Sequence, residues 1–564
     1  MPNAKGKKLQ VERIMRRDIE FLKGNHDLSL SDWGPYTKDY AGISHCADRQ
    51  NGLRFDISLF PGIYRVTTPV PCVRYACGHH PWEASPELDY FSYRHELSWK
   101  DKVYCDVQFH RIDEAMVVAR SVFQNAADLP VNLVQHLIAY LRFPPLHAGW
   151  SKDVLNCQPV LPAGAYWVDA LMCSEVRIAG AGHRHSLVHD GHLLGECRLD
   201  GAVGGSAILF EAGNQAMLHL DLSAMQHPAL LVRGAGAGKV RINGKELQVG
   251  DGFEVHRLDA ASNLHIEGME GRVFLDGVVI AEQEQLSAVA FKDVEWGDQP
   301  QIDQLPDQHA IVLSYPNLDH VYGIAYDAAL DTKIRTVQCR DLDSYFPFIA
   351  SNHVSSHLTD RAEGGRFYVN IFQRPLFLKP GAQSTFETRI YCGSRDDVMA
   401  RIQGSRGSSS PDLPVYTSCL GTIKSSGEAY RFSQERMAAT TLTNVVFPVR
   451  TRGQWIRHYT PGRWWDCLYT WDSGFIGIGM TALDIQRAIE VLNTYVTEPD
   501  EPGAAFIHHG SPVPVQFFLF SEIWNRTQDC DLLHYFFPRL RQYHRFLAGR
   551  YGSSNTRMPS GFLR

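Results

Sequence analysis

The period of the hydrophobic residues changes once along the chain, and this change constrains the fold more than any other feature of the sequence. From about residue 40 to residue 395, short apolar runs alternate with polar residues and are separated by turn residues. Alternation with a period of two is typical of strands that bury one face. The clearest runs are Leu53–Leu59, Val103–Phe109, Ala115–Val122 and Arg366–Phe372. The pattern predicts a large antiparallel β-sandwich region.

After about residue 425 the apolar residues instead recur three and four positions apart, as on the buried face of a helix. One such set runs from Ile485 to Val496. A second set, from Val515 to Ile523, follows Pro514, which suits the start of a helix. We expect Pro538 to begin a further helix for the same reason. This part of the chain is therefore predicted to be helical.

The two patterns divide the 564 residues into four parts and predict a multi-domain β + α protein. Residues 1–164 and 284–400 are assigned to an N-terminal β-sandwich, and residues 165–283 to a β module inserted into it. Residues 401–424, which include a run rich in glycine and serine, are assigned to a linker. Residues 425–564 are assigned to a helical domain.

Residues 165–283 contain short strand-like runs joined by glycine-rich turns. Asn243-Gly244 separates two such runs and is a strong hairpin signal, because both residues tolerate a positive φ. In this pattern the segment resembles the jelly-roll carbohydrate-binding modules. The alternative is an elaboration of the sandwich that binds no ligand.

Composition excludes several classes of protein. The net charge of −7 argues against a protein that grips nucleic acid electrostatically. Neither a secretory signal nor an apolar run long enough to cross a membrane is present in the sequence. The 12 cysteines contain no CxxC pair, which favours reduced thiols in a cytoplasmic protein. The sequence predicts no metal site and no organic cofactor.

The segment from Arg463 to Gly479 combines aromatic rings with two carboxylates. Aromatic rings offer flat apolar faces to the C–H faces of a sugar, and a carboxylate accepts paired hydrogen bonds from neighbouring hydroxyls. The alternative is a buried aromatic hinge in which Asp472 caps the following helix. The predicted substrate-binding residues in this segment are Trp464, Trp465, Asp466, Trp471, Asp472 and Phe475.

Within this segment, Trp471-Asp-Ser-Gly-Phe475 resembles the W-D-E-G-F signature of glycoside hydrolase family 63 and related trehalase-like enzymes. Ser473 stands where that family has a glutamate. The resemblance implies that the sandwich is followed by the start of an (α/α)6 toroid and that the reaction is an inverting hydrolysis. It also implies that Asp472 binds the sugar and is not the proton donor.

A second candidate segment, Phe506–Gln516, has the form of a loop at the rim of a pocket leading into a helix. His508, His509 and Gln516 could each donate and accept hydrogen bonds to sugar hydroxyls. The alternatives are two exposed loop histidines and a glutamine on the surface of a helix.

The family's general acid lies in a G-x-D-D-Y-P motif, which is absent from this sequence. We therefore expect the catalytic acid and base beyond Arg564. We also expect these 564 residues alone to be inactive but to retain weak affinity for a carbohydrate. The predicted function is a glycoside hydrolase acting on an oligosaccharide or glycoside. The alternatives are a sugar phosphorylase of similar plan and a carbohydrate-binding protein without catalysis.

Overall fold

In the computed structural model, the described part of the chain runs from residue 19 to residue 547 with gaps. The gaps are residues 38–39, 65–78, 99, 144–155, 178, 180–195, 204, 224, 295–296, 317, 340, 343–365, 406–410, 414–415, 417, 419, 421–423, 452–453, 463–467 and 500–512. Within the described residues, no helix is both long and apolar enough to cross a membrane.

The first half of the sandwich consists of a short helix and eight strands. They are α1 (Ile19–Leu22), β1 (Trp33–Gly34), β2 (Gly42–Asp48), β3 (Leu53–Ile63), β4 (His79–Ala84), β5 (Tyr90–Ser98), β6 (Val103–Asp113), β7 (Met116–Asn125) and β8 (Val131–Arg142).

The next strands build a second body. They are β9 (Asn156–Val160), β10 (Tyr166–Asp169), β11 (Ser174–Arg177), β12 (Glu196–Arg198), β13 (Ser206–Phe210), β14 (Gln215–His219), β15 (Pro228–Ile242), β16 (Lys245–Val249), β17 (Glu254–Asp259), β18 (Asn263–Glu282) and β19 (Ala290–Val294). Strands β10 to β18 form one nine-stranded sheet, which we call the module (residues 166–282). Strands β9 and β19 pair with each other at its base.

The sandwich is then completed by β20 (Gln301–Leu305), β21 (Ala310–Ser314), β22 (Val321–Ala325), β23 (Asp331–Cys339), β24 (Arg366–Leu378) and β25 (Gln383–Gly393), followed by helix α2 (Arg395–Gly404). Short 3-10 helices lie at Ala170–Met172, Gln283–Ala288, Pro306–Gln308 and Ser425–Tyr430.

The sandwich strands form two antiparallel sheets. The six-stranded sheet has the order β1-β2-β3-β8-β24-β23, and the eight-stranded sheet has the order β20-β21-β22-β25-β7-β6-β5-β4. Alternate residues of β6, namely Val103, Cys105, Val107 and Phe109, fill the core, whereas β3 and β8 are buried at nearly every position. The prediction of a protein rich in antiparallel β-structure is therefore confirmed.

The module has a hydrophobic core of its own, built on β13, β14, β15 and β18. The predicted hairpin joins β15 to β16, with Ile242 paired to Lys245. Asn243 has a φ of 47° and Gly244 a φ of 81°, the two positive values that a tight hairpin turn requires. The assignment of these residues to a separate, jelly-roll-like domain stays a prediction.

The chain ends in a region that we call the helical segment (residues 431–547). Its elements are α3 (Arg431–Thr443), β26 (Val445–Thr451), β27 (Gln454–Tyr459), α4 (Thr470–Met480), α5 (Ile485–Asn493), α6 (Val515–Thr527) and α7 (Cys530–Leu547). The expectation that residues 425–564 are helical throughout is wrong at β26 and β27, which form an antiparallel hairpin. The hairpin forms because β-branched and aromatic residues dominate Val445–Val449 and favour a strand. The toroid stays a prediction.

Helix α7 also begins earlier than the sequence predicted. Pro538 lies inside it and does not start it. The helix starts after Asp529, whose carboxylate accepts a hydrogen bond from the Asp531 N–H at 2.8 Å. Phe536 and Leu540, on either side of the proline, are both buried in the same core. This packing outweighs the backbone hydrogen bond that a proline inside a helix removes.

Candidate functional site

Helix α4 carries the predicted aromatic–acid motif and packs against α6 through two glycines. A Cβ atom added to Gly474 would lie 2.6 Å from the Val515 side chain, and one added to Gly477 would lie 2.4 Å from Leu519. Both distances are shorter than carbon atoms tolerate, so the close approach of the two helices requires glycine at these positions.

Two aromatic rings of α4 point into solvent. Trp471 is 40% exposed and Phe475 is 57% exposed. The two residues are one helical turn apart, and their ring centroids are 6.1 Å from each other with planes at 77°. Two large apolar side chains exposed side by side form a candidate binding surface.

Asp472 follows Trp471 in the first turn of α4 and is partly buried. Desolvation raises the pKa of its carboxyl group above the ordinary value, and a hydrogen bond to its own backbone opposes that shift. The residue at the N-cap of α4 is Tyr469, which makes no side-chain capping bond. Asp472 is therefore not at the N-cap position, although its carboxylate accepts a hydrogen bond from its own N–H in the first turn of the helix. We call Trp471, Asp472 and Phe475 the aromatic–acid face.

Ser473, by contrast, points into the protein. Its Oγ lies 3.1 Å from His458 Nε2 and 2.7 Å from the hydroxyl of Tyr495, which itself lies 2.7 Å from the same nitrogen. None of the three side chains has exposed surface, and burial lowers the pKa of His458 to about 3. A buried serine–histidine pair of this kind cannot meet a substrate. It serves to fix α4 against β27 and α5.

The structure gives Gln516 a different position from the one that the sequence predicted. Gln516 is fully buried, and its amide N–H donates to the backbone carbonyl of Thr470. Its amide oxygen accepts a 3.4 Å hydrogen bond from the Tyr543 hydroxyl. Because both ends of the amide are engaged within the protein, Gln516 links three helices and does not line a pocket rim. Five other candidates, Trp464, Trp465, Asp466, His508 and His509, lie outside the described residues.

A second concave surface, which the sequence did not predict, lies on the module. It is a polar cleft of about 330 Å³ whose lining includes Arg177, Gln215, Arg241, His265 and Glu267. The Arg241 guanidinium lies 3.0 Å from the Glu267 carboxylate, so the two charges compensate each other. The lining residues come from four strands that are distant in sequence, and no local motif could have revealed them.

Comparisons with known proteins give no family for this chain. No family model and no curated protein matches it. A solved structure from Escherichia coli K12, named as a candidate aldose 1-epimerase, is similar at 8% identity over 56% of this chain and 68% of that chain, with a TM-score of 0.20.

Two further solved structures are galactose mutarotase-like proteins. The Lactobacillus casei protein has 10% identity over 60% of this chain and 85% of its own, with a TM-score of 0.21. The Clostridium acetobutylicum protein has 7% identity over 64% of this chain and 94% of its own, with a TM-score of 0.19. TM-scores this low carry no argument about fold or function. The geometry of the aromatic–acid face is therefore what bears on the function of this chain.

Proposed function

We propose that this protein binds a carbohydrate at the aromatic–acid face. The observation that carries the proposal is the exposure of the neighbouring Trp471 and Phe475 rings on α4, with the Asp472 carboxyl group in the first turn of the same helix. The C–H face of a pyranose ring can cover an exposed aromatic ring, and burying about 40 Å² of apolar surface contributes about 1 kcal/mol. Neighbouring hydroxyls can then donate to the carboxylate.

The reaction that we propose is hydrolysis of a glycosidic bond with inversion, which rests on the resemblance of Trp471–Phe475 to the family 63 signature. In such a reaction an acid protonates the leaving oxygen while a carboxylate about 6.5–9.5 Å away activates water. Asp472 binds the sugar in this proposal and does not transfer the proton. A sugar phosphorylase and a carbohydrate-binding protein without catalysis remain the alternatives.

The binding proposal is tested by calorimetric titration of the full chain with mono- and disaccharides. We expect a dissociation constant in the millimolar range, about 4 kcal/mol of binding free energy. Trp471→Ala and Asp472→Asn should each weaken binding at least tenfold. Phe377→Ala is a matched control, because Phe377 is as exposed as Phe475 but lies on β24 of the sandwich. Wild-type affinity in both α4 variants would contradict the proposal.

The pH dependence provides a second readout of the same site. Only the ionised form of Asp472 accepts two hydrogen bonds, so binding should strengthen as the pH rises through the carboxyl pKa, which desolvation raises. Asp472→Asn should remove this dependence. If Gln215→Ala in the module cleft weakens binding and the α4 variants do not, the module is the binding surface.

The reaction is tested by following candidate disaccharides by NMR with and without phosphate. Release of a sugar with the opposite anomeric configuration, independent of phosphate, supports inverting hydrolysis. Formation of a sugar phosphate supports the phosphorylase. Binding without turnover leaves the carbohydrate-binding proposal intact and supports neither reaction.

A further inference from the structure

Three potential metal ligands that are far apart in sequence meet at one end of the sandwich. His45 lies on β2, His320 immediately precedes β22, and Cys392 lies near the end of β25. One ligand atom from each residue can be chosen so that all three lie within 4.8 Å of one another. The separation of 347 residues between His45 and Cys392 explains why no spacing in the sequence indicated the cluster.

The Tyr322 hydroxyl fixes the orientation of the two imidazoles. It lies 2.9 Å from His45 Nδ1 and 2.8 Å from His320 Nε2. The Tyr322 ring is itself held by stacking on Phe55, with centroids 3.6 Å apart and planes at 11°. The Cys392 Sγ lies 4.0 Å from both ring nitrogens of His45. Tyr322 and the strands therefore hold the two imidazoles in place before any ion binds, and the ring nitrogens not bonded to Tyr322, His45 Nε2 and His320 Nδ1, are the ones available to an ion.

We propose that His45, His320 and Cys392 form a binding site for a zinc-like transition-metal ion. Two imidazoles and one thiolate are a ligand set that Zn²⁺ and Co²⁺ accept in tetrahedral geometry. Metal–nitrogen bonds of about 2.0–2.1 Å and metal–sulfur bonds of about 2.3 Å place tetrahedral ligand atoms about 3.3–3.8 Å apart. Binding an ion therefore requires ligand atoms that lie up to 4.8 Å apart to move closer together by about 1 Å.

The charges around the cluster also suit a cation. The Asp48 and Asp319 carboxylates act on His320, and the Asp32 carboxylate acts on Cys392. The Arg49 guanidinium, which opposes them, is paired with Asp32 at 2.5 Å. An imidazole binds a metal ion in its neutral form, which offers a lone pair on a ring nitrogen. On binding, the Cys392 thiol releases its proton to solvent and the sulfur forms the bond to the metal.

An ion at this position would link the two sheets of the sandwich. His45 belongs to the six-stranded sheet, whereas Cys392 belongs to the eight-stranded sheet and His320 precedes one of its strands. Binding to the folded state alone stabilises that state by mass action. Addition of Zn²⁺ should therefore raise the thermal unfolding midpoint, and the rise should be absent in a variant that lacks the thiolate.

The site is tested by titrating the full chain with Co²⁺ after removal of metal with a chelator. We expect one Co²⁺ to bind per chain. The absorption spectrum should show visible bands as intense as those of tetrahedral Co²⁺, and a thiolate-to-cobalt charge-transfer band in the near ultraviolet. Cys392→Ser should abolish the charge-transfer band, and His320→Ala should weaken binding at least tenfold. Cys530→Ser is the matched control, because Cys530 is an exposed thiol outside the cluster and its replacement should change nothing.

The His320→Ala variant keeps the test decisive if Cys392→Ser does not fold, because His320 is only partly buried. A wild-type chain without the charge-transfer band would overturn the proposal. So would a band that survives in both Cys392→Ser and His320→Ala, or one that disappears in Cys530→Ser.

Discussion

The helical segment and the module are attached to the sandwich in opposite ways. Residues of the helical segment, among them Leu442, Phe447, Ile489 and Leu519, belong to the same hydrophobic core as the sandwich strands. The module has a separate core, and the paired strands β9 and β19 lie at its base. A region that shares a core cannot unfold alone, whereas a region with its own core can.

Polar contacts over more than 400 residues reinforce the attachment of the helical segment. The Arg457 guanidinium on β27 donates to the Asp27 carboxylate at 2.7 Å and to the backbone carbonyl of Ser31 at 2.8 Å. The Glu490 carboxylate on α5 accepts from the Ser29 N–H at 3.1 Å. The N-terminal stretch thus crosses the helical segment before it enters the first sheet.

A buried ion pair lies within the module. The Arg233 guanidinium pairs with the Asp276 carboxylate, and both side chains are buried. Asp276 also accepts from the Val203 N–H at 2.9 Å, and the Arg233 guanidinium lies 3.7 Å from the centroid of the Phe253 ring. The same guanidinium lies 4.7 Å from the ring of Phe291 on β19, so the pair sits where the module meets its base.

Arg457→Met should have the largest effect on stability. It leaves the Asp27 carboxylate without its buried cation and should lower the free energy of unfolding by about 3–5 kcal/mol. Because the core is shared, circular dichroism should show a single unfolding transition. Hydrogen exchange should show that the amides of the sandwich and of the helical segment lose protection together. Arg49→Ala is the control: Arg49 also lies near Asp27, at 3.7 Å, but is exposed, and its loss should cost less than about 1 kcal/mol. Loss of protection confined to residues 431–547 would contradict the shared core.

Arg233→Met should destabilise the module by about 3 kcal/mol, because Asp276 would remain buried without its partner. Hydrogen exchange measured by mass spectrometry should then increase across residues 166–282 and stay unchanged in β3 and β8. Arg272→Met is a matched control in the same sheet, since Arg272 pairs with Glu211 at 3.4 Å on the surface. Equal loss of protection in the sandwich would show that the module is not independent.

Acid should weaken the helical segment through His458. Burial lowers its folded-state pKa to about 3, while the unfolded-state value is about 6.5. The unfolded chain therefore takes up the proton first, and stability is lost as the pH falls below about 6.5, by about 2 kcal/mol at pH 5. His458→Gln should flatten this slope, whereas replacing the exposed His534 with glutamine should not. An unchanged slope in His458→Gln would refute the assignment.

The sequence predicted those features that depend on neighbouring residues. The alternation in β6 and the turn at Asn243-Gly244 both follow from local patterns. The sequence did not predict features that depend on contacts between residues far apart in the chain. The Arg457 guanidinium pairs with Asp27, which lies 430 residues away in the chain. The hydrogen bonds of the buried Gln516 are made to residues of two other helices. Hydrophobic periodicity carries no information about such pairs, and so the helical segment looked like an independent domain.

The smallest expected effect concerns the hairpin turn of the module. Gly244 has a φ of 81°, and no atom lies within 4 Å of an added Cβ, so Gly244→Ala introduces backbone strain without a steric clash. It should destabilise the module by about 1 kcal/mol. Gly252 is the matched control: an added Cβ there also meets nothing within 4 Å, but its φ is not positive, and Gly252→Ala should be neutral or slightly stabilising. The difference in amide hydrogen-exchange rates between the two variants should be confined to residues 166–282. If the sandwich strands respond equally to Gly244→Ala, the module and the sandwich unfold as one unit and the contrast with the helical segment disappears.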